Sequence, residues 1–310
     1  MNQFFYRTGN LKQLILAAFL LALFFTAGPA QQPSGNAKAV DYYKLGSACA
    51  DADTDCQIKN FTKAIELNPK YASAYYARAW AYDSAEKYEK AAADYTRTIE
   101  LRPGDENAFL GRGRDYYYLK KYDLSLADYT KCIEINPKNA DAFYNRGLTY
   151  YDLEKYDESI ADYSRAIALD PDEFDYYYNR ALAYEGKNEF ENGIRDYTKA
   201  IELKPDYADA YNNRGLIYEK MKDDKQAFVD YDKAVKIEPG EALYYYNRGS
   251  TYYRLGEYDK AIVDLTKAIQ LDPNRADAYH NRALAYDEIG ENDLAEADRR
   301  KRSEIDKKHP

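Results

Sequence analysis

Small, aromatic and aliphatic residues recur from residue 38 onward with the spacing of helical hairpins. When each 34-residue unit is numbered from 1, position 4 is aromatic, position 8 is small and position 11 is tyrosine, as at Tyr177, Ala181 and Tyr184. These spacings place the three positions on one face of a first helix. Position 20 is mostly small and position 24 mostly aromatic, which predicts a second helix antiparallel to the first. We expect the small residues to let the backbones approach, and the rings to fill the space between neighbouring hairpins.

Seven prolines mark the period of this pattern. They recur every 34 residues, at Pro69, Pro103, Pro137, Pro171, Pro205, Pro239 and Pro273. Because proline cannot continue a helix, each one marks the end of a second helix. The units cover 38–71, 72–105, 106–139, 140–173, 174–207, 208–241, 242–275 and 276–309. The sequence therefore predicts an all-α solenoid of eight helix-turn-helix repeats.

Residues 1–30 have the layout of a secretory signal. Two basic residues, Arg7 and Lys12, precede an apolar run over residues 14–27, and small residues follow the run. That run spans about 21 Å as a helix, which is short of the ~30 Å hydrocarbon layer. We predict a cleaved signal and an exported protein, periplasmic or secreted; the alternative is an uncleaved anchor in the inner membrane. Residues 31–37 are interpreted as a flexible lead-in.

Composition and motifs exclude several functions. The formal net charge of −9 disfavours general binding to nucleic acid. Two histidines and three cysteines leave little for a zinc site or a histidine-based catalytic centre. The sequence has no Gly-rich phosphate loop and no nucleophile elbow, so we predict no enzyme activity, no cofactor and no metal. Most of the 36 tyrosines are explained as packing residues of the repeats.

The repeated unit resembles the tetratricopeptide repeat (TPR), whose motif has an aromatic residue at position 4, a small residue at 8, tyrosine at 11 and proline at 32. The fourth unit shows it as Phe143, Gly147, Tyr150 and Pro171. The resemblance implies stacked hairpins in a right-handed superhelix, with a concave groove that is lined by the first helices and binds a protein or peptide. Position 7, usually apolar in the family, is arginine here, as in TPR proteins that read Asn-Arg-Gly.

Two charged positions vary together along the chain. Units 2 to 8 carry arginine at position 7 and aspartate at position 23, whereas unit 1 has Lys44 and Asn60. Because a buried charge needs a partner, we predict a ladder of structural ion pairs. It includes Arg146 with Asp162, Arg180 with Asp196, and Arg214 with Asp230. The alternative is that each aspartate pairs with the basic residue at position 26 of its own helix.

Asparagine at position 6 is the main candidate for binding. The predicted peptide-binding residues are Asn145, Asn179, Asn213, Asn247 and Asn281, with Tyr144, Tyr178 and Tyr246 preceding three of them. The family resemblance places position 6 in the concave groove, where a similar asparagine ladder holds an extended peptide. A carboxamide offers a donor and an acceptor together, which suits a peptide bond. The alternative is that these asparagines solvate a helix face or bond to the next helix.

The first unit carries two of the three cysteines. Cys49 and Cys56 lie on either side of its hairpin turn, and in an exported protein we predict a disulfide between them; separate thiols are the alternative. The acidic stretch between them resembles the start of a calcium loop. Calcium is not expected, because Cys56 and Thr62 replace the glycine and glutamate that such a loop needs.

These features together predict a non-catalytic scaffold that binds a protein or peptide in its groove. Groove positions carry few basic residues, with only Arg114, Lys220 and Arg254, so a clamp for acidic C-terminal peptides is not expected. A membrane is a partner only if the N-terminal segment stays uncleaved. The alternative function is a membrane-tethered structural or assembly component of the cell envelope, which binds through other surfaces or self-associates.

Overall fold

A computed structural model describes residues 37–308 of the chain. The predicted signal at 1–30 and nearly all of the lead-in at 31–37 lie outside the described residues. By its internal contacts the chain divides into two compact units, with the division between Ala74 and Tyr75. The 34-residue units of the sequence are called repeats from here on: unit 1 contains repeat 1 and residues 72–74, and unit 2 contains the rest of repeat 2 and repeats 3 to 8.

All regular structure within residues 37–308 is helical, and it comprises sixteen helices. They are α1 Ala37–Ser47, α2 Thr54–Leu67, α3 Ala72–Ser84, α4 Tyr88–Leu101, α5 Glu106–Tyr118, α6 Tyr122–Ile135, α7 Ala140–Asp152, α8 Tyr156–Leu169, α9 Phe174–Gly186, α10 Phe190–Leu203, α11 Ala208–Lys220, α12 Asp224–Ile237, α13 Ala242–Arg254, α14 Tyr258–Leu271, α15 Ala276–Glu288 and α16 Asn292–Lys308. Odd-numbered helices are the first helices of their repeats and even-numbered helices the second. The predicted all-α series of helical hairpins is confirmed.

Unit 1 is a hairpin of α1 and α2 closed by a disulfide. Cys49 and Cys56 are bonded across the turn, with their Cα atoms 6.0 Å apart. Phe61 of α2 is buried against the backbone of α1 at Gly46, where an added Cβ would lie 2.6 Å from the ring. The ring of Tyr43 also packs against that of Phe61, with centroids 5.6 Å apart. A covalent link and an aromatic cluster therefore hold this short hairpin together.

In repeats 3 to 8 each first helix packs against the second helix of its repeat, and in repeats 2 to 7 each second helix packs against the next first helix. The tyrosine at position 24 is fully buried in repeats 3 to 6. Its ring lies on the small residue at position 8 of the same repeat: an added Cβ at Gly147 would lie 2.9 Å from Tyr163, and one at Gly113 would lie 2.8 Å from Tyr129. These rings therefore fill the hairpin itself rather than only the space between hairpins.

Helix ends in unit 2 have local causes. The backbone N–H of Asp170, which follows α8, donates to the carbonyl of Ala166 at 2.9 Å, and Pro171 comes next. Since the residue before a proline avoids helical geometry, the second helix stops there. At the start of α7, the side chain of Asn139 accepts a hydrogen bond from the N–H of Ala142 at 2.9 Å. This cap satisfies one of the free N–H groups of the helix terminus.

In repeats 2 to 8 the turn inside the hairpin contains a left-handed residue at position 15. In repeats 2 to 6 these residues are Glu86, Lys120, Glu154, Asn188 and Lys222, with φ from 56° to 63°. In repeats 7 and 8 the same position is glycine, at Gly256 and Gly290. A left-handed backbone costs a residue with a Cβ roughly 1–2 kcal/mol. Five hairpins therefore carry strain that the last two avoid.

We predict that Lys222→Gly raises the free energy of unfolding by about 1 kcal/mol, because it removes this strain while keeping the turn. Urea denaturation followed by circular dichroism measures the change. The matched control is Gly256→Ala, which should lower the free energy of unfolding by a similar amount. A loss of stability in Lys222→Gly would contradict the prediction.

Candidate functional site

The candidate site is the first-helix face of unit 2, which we define as positions 2, 5, 9 and 12 of the first helices. Because these positions are three or four residues apart, they share one side of each helix. In α7 they are Asp141, Tyr144, Leu148 and Tyr151. Consecutive first helices contact each other directly, so the rows continue from repeat to repeat. Position 6, which carries the predicted asparagines, lies beside this face.

The asparagine side chains connect neighbouring first helices. The Nδ2 of Asn179 donates to the hydroxyl of Tyr144 in the preceding repeat at 3.2 Å, and the Nδ2 of Asn213 donates to Tyr178 at 2.9 Å. In the last repeat, Asn281 donates to the hydroxyl of Tyr246 at 3.4 Å. The partners are 35 residues apart in each case, from position 6 back to position 5. The result is a ladder of hydrogen bonds between repeats.

One rung of this ladder replaces the tyrosine hydroxyl with an amide. Repeat 6 has Asn212 at position 5, and its Oδ1 accepts from the Nδ2 of Asn247 at 2.7 Å. The first predicted residue, Asn145, instead donates to the carbonyl of Asp141 in its own helix at 2.7 Å. Each of the five predicted asparagines therefore donates a hydrogen bond from its side-chain amide to another group of the protein.

The expectation of an asparagine ladder that is free to grip a peptide needs correction. Asn179, Asn213 and Asn247 are only 5–6% exposed, and their amide donors are used inside the protein. The rings of Tyr144 and Tyr178 are also buried. Their physical role is to join consecutive repeats, which corresponds to the alternative in which position 6 bonds to a neighbouring helix.

Each arginine at position 7 forms a bidentate ion pair with the aspartate at position 23 of the same repeat. In repeat 5, Nε of Arg180 lies 2.6 Å from Oδ2 of Asp196, and Nη2 lies 2.9 Å from Oδ1. The same two contacts join Arg146 to Asp162 and Arg214 to Asp230. Burial acts to lower the pKa of Arg180, but the hydrogen bond and charge of Asp196 outweigh burial and raise it.

The aspartates therefore pair across the hairpin rather than with position 26. In repeats 1, 2, 3, 5 and 8 the basic residue at position 26 instead reaches a glutamate three residues later, as in Lys131 with Glu134 at 2.9 Å.

A third contact of the arginines was missed in the sequence. The Nη1 of Arg180 donates to the hydroxyl of Ser164 in the preceding repeat at 2.9 Å, and Arg214 donates in the same way to Thr198 at 2.8 Å. Position 25 is a serine or threonine in most repeats of unit 2, and this recurrence is the feature of the sequence that could have predicted the contact. Since the two partners belong to consecutive second helices, each arginine connects its own repeat to the one before.

A buried acid in α5 breaks the pattern of unit 2. Asp115 is 0% exposed, and neither of its carboxylate oxygens has a hydrogen-bond partner within the described structure. Burial is the main cause that raises its pKa to about 9, and the nearby carboxylate of Asp83 adds to the effect. Asp83 itself is paired with Arg114. Other repeats of unit 2 have alanine, threonine or isoleucine at this position.

The described residues contain neither a cluster of metal-binding side chains nor a helix that could span a membrane. Within residues 37–308, no group of three or more His, Cys, Asp or Glu side chains is placed to bind a metal ion. No helix in this range combines the length and the apolar character that crossing a membrane requires.

Family models match most of unit 2. Models described as TPR repeat match residues 113–154, 147–188, 186–222 and 249–290. Models described as tetratricopeptide repeat match residues 72–105, 208–241 and 230–263. No curated protein matches the sequence.

Solved structures with the same fold include three that cover large parts of the chain. YrrB, described as a TPR protein with an unusual peptide-binding site, is 26% identical with a TM-score of 0.52, over 59% of this chain and 95% of its own. MamA is 27% identical with a TM-score of 0.50, over 53% of this chain and 96% of its own. A tetratricopeptide repeat protein from Parabacteroides merdae is 19% identical with a TM-score of 0.60, over 80% and 98%, and supports the fold alone.

We predict strong coupling between Arg180 and Asp196. Arg180→Leu or Asp196→Leu alone should each lower the free energy of unfolding by about 3–5 kcal/mol, because each leaves a buried charge unpaired. The double variant should lose less than the sum, with a coupling energy of about 2 kcal/mol in urea denaturation. The control cycle, Lys131→Ala with Glu134→Ala, removes an exposed pair and should give at most about 0.5 kcal/mol. Additive losses in the Arg180 cycle would exclude the pairing as a source of stability.

We predict that Asp115→Thr stabilises the protein by about 2 kcal/mol at neutral pH, since it removes a buried acid that lies beside the carboxylate of Asp83. The pKa of about 9 lies above the ordinary 3.8, so the folded state holds the proton more tightly and stability is lost as pH rises between these values. The gain from Asp115→Thr should therefore grow with pH, as measured by urea denaturation at several pH values. The reciprocal control, Thr149→Asp, should create a similar loss. A gain independent of pH would contradict this account.

Proposed function

The chain belongs to the tetratricopeptide repeat family, and on that premise we propose that it is a non-catalytic scaffold that binds an extended segment of a partner protein along the first-helix face. Proteins with this fold typically mediate protein–protein interactions. YrrB is described as having an unusual peptide-binding site, which supports the same class of function here.

The observation that carries the proposal is which side chains of the first-helix face remain accessible to a partner once the hydrogen bonds between repeats have been made. Leu148, Leu182 and Leu216, at position 9 of repeats 4 to 6, form a row of half-buried aliphatic side chains. Aspartates at position 2 and tyrosine or glutamate at position 12 flank that row. A mixed apolar and polar strip of this kind suits an extended peptide, whose side chains alternate between its two sides.

We also propose export through the N-terminal segment. The basic and apolar layout of residues 1–30 supports it. The Cys49–Cys56 bond in unit 1 agrees with an oxidising compartment, where such bonds persist. Cleavage would give a periplasmic or secreted protein, and an uncleaved segment would anchor it to the inner membrane.

Exposed aliphatic residues on second helices favour a second candidate function, binding through another surface or self-association. Val229 and Val263 occupy the same position in repeats 6 and 7 and are 57% and 67% exposed. Because these valines lie on second helices, they serve as control positions when binding by the first-helix face is tested.

We predict that a photoreactive amino acid at Leu182 or Leu216 crosslinks partner proteins in cells, and that the same group at Val229 or Val263 gives few adducts. The reason is that the first two sites lie within the proposed contact surface. Mass spectrometry of the adducts identifies the partner and the contact segment. Adducts confined to the valine sites would reject the first-helix face in favour of the second candidate function.

A further inference from the structure

The first-helix face of repeats 4 to 6 ends in an acidic–aromatic patch, which we define as Asp141, Glu173, Phe174, Asp175, Tyr207 and Asp209. All six side chains are exposed or half-buried. They come from the first turns of α7, α9 and α11 and from the residues just before α9 and α11.

Aromatic rings form the wall of the patch. The ring of Phe174 lies 5.1 Å from that of Tyr207 in an edge-to-face arrangement. Tyr207 also contacts the ring of Tyr178 on the first-helix face, with centroids 4.8 Å apart. The two rings of the patch are therefore held in place by each other and by the buried tyrosine ladder.

This wall already accommodates a lysine of the chain itself. The Nζ of Lys204 lies 4.3 Å from the centroid of Phe174 and 5.0 Å from that of Tyr207. A cation at this distance from a ring is attracted by its electron-rich face. The internal contact shows which chemistry the rings accept: a primary ammonium group on a flexible stem.

In the described part of the chain, no carboxylate of the patch is in ion-pair contact with a cation, although the charge of Lys204 acts to lower the pKa of Asp175 and Glu173, and that of Arg114 the pKa of Asp141. Within residues 37–308, neither Asp141 nor Asp175 forms an ion pair, whereas Glu185 of the same face is paired with Lys220 at 2.7 Å. Asp209 accepts a hydrogen bond from the uncharged hydroxyl of Tyr244 at 2.6 Å.

Burial raises the pKa of Asp175 to about 6, and the charge of neighbouring Glu173 adds to the shift. Burial also raises the pKa of Glu173. Burial disfavours the charged form of these carboxylates, and a cation that binds beside them stabilises that form.

We propose that the acidic–aromatic patch docks an extended, lysine-rich segment of a partner protein. The inference rests on the proposed function and names the chemistry of the partner. Asp141, Asp175 and Asp209 follow each other at one per repeat. Adjacent helices lie about 9 Å apart, which equals one turn of an extended polyproline II segment, three residues at ~3.1 Å each, so that every third side chain lies on the same side. The patch therefore matches a lysine at every third residue.

The test uses fluorescence anisotropy with the full chain and two labelled dodecapeptides, (Lys-Ser-Gly)4 and (Glu-Ser-Gly)4. The lysine peptide should bind at least tenfold more tightly than the glutamate peptide, and its affinity should fall as salt is raised. The double variant Asp141→Asn with Asp175→Asn should weaken binding of the lysine peptide at least fivefold. Repeat 3 already has Asn107 at this position, so the substitution suits the fold.

A matched control separates the patch from the net charge of the protein. Asp123→Asn with Glu158→Gln also removes two acids from first turns, but on the second helices α6 and α8. It should leave affinity unchanged. Phe174→Ala, which introduces the residue that most repeats have at position 1, should weaken binding at least threefold. Lys204→Ala should tighten binding about threefold, and more than Lys199→Ala does, because it also vacates the rings.

Equal affinity for the two peptides, or equal weakening by the patch and control variants, would overturn the inference. The proposed function would still stand if crosslinks at Leu182 and Leu216 persisted. Self-association that the patch variants abolish, without binding of the lysine peptide, would identify a second copy as the occupant and also overturn the inference. Absence of both peptide binding and crosslinks at these leucines would reject the proposed function itself.

Discussion

The bidentate contact between arginine at position 7 and aspartate at position 23 is the interaction on which unit 2 depends. A buried guanidinium must have partners for its donors, since an unpaired buried charge is strongly destabilising. In repeat 5 the donors of Arg180 are divided between Asp196 of the same hairpin and Ser164 of the preceding one. The centroid of the Tyr177 ring lies 5.7 Å from the guanidinium carbon of Arg180. Because the donors of arginine have fixed directions, one side chain constrains three helices at once.

The tyrosine and asparagine ladder adds a second connection between repeats and decides what the first-helix face can offer a partner. The side-chain amides that suit a peptide backbone are consumed internally, as in Asn213 with Tyr178. What remains accessible is leucine at position 9, acids at position 2 and the rings around Phe174. Recognition by this face therefore depends on partner side chains more than on the partner main chain.

Much of the fold could be predicted from the sequence, because the repeat pattern is local and recurs many times. The ion pairs also follow from the sequence, since Lys44 and Asn60 replace both partners in the same repeat. The role of Asn179 could not be predicted, because it depends on how closely the next first helix approaches. In the sequence, Asp115 is only an exception at a position where other repeats of unit 2 have alanine, threonine or isoleucine, and its burial is known only from the structure. The strained turns were missed because residues such as Lys222 give no signal of a left-handed backbone.

The two ladders between repeats have one further consequence, since the arginine contacts join residues at a fixed offset of 16 along the chain and the asparagine contacts at a fixed offset of 35. If the whole fifth repeat were lost, Arg214 would meet the hydroxyl of Ser164 in place of that of Thr198. Asn213 would likewise meet Tyr144. Neither buried donor would be stranded, so genes for such a protein can gain or lose single repeats by unequal recombination and still encode a chain whose internal bonding is complete.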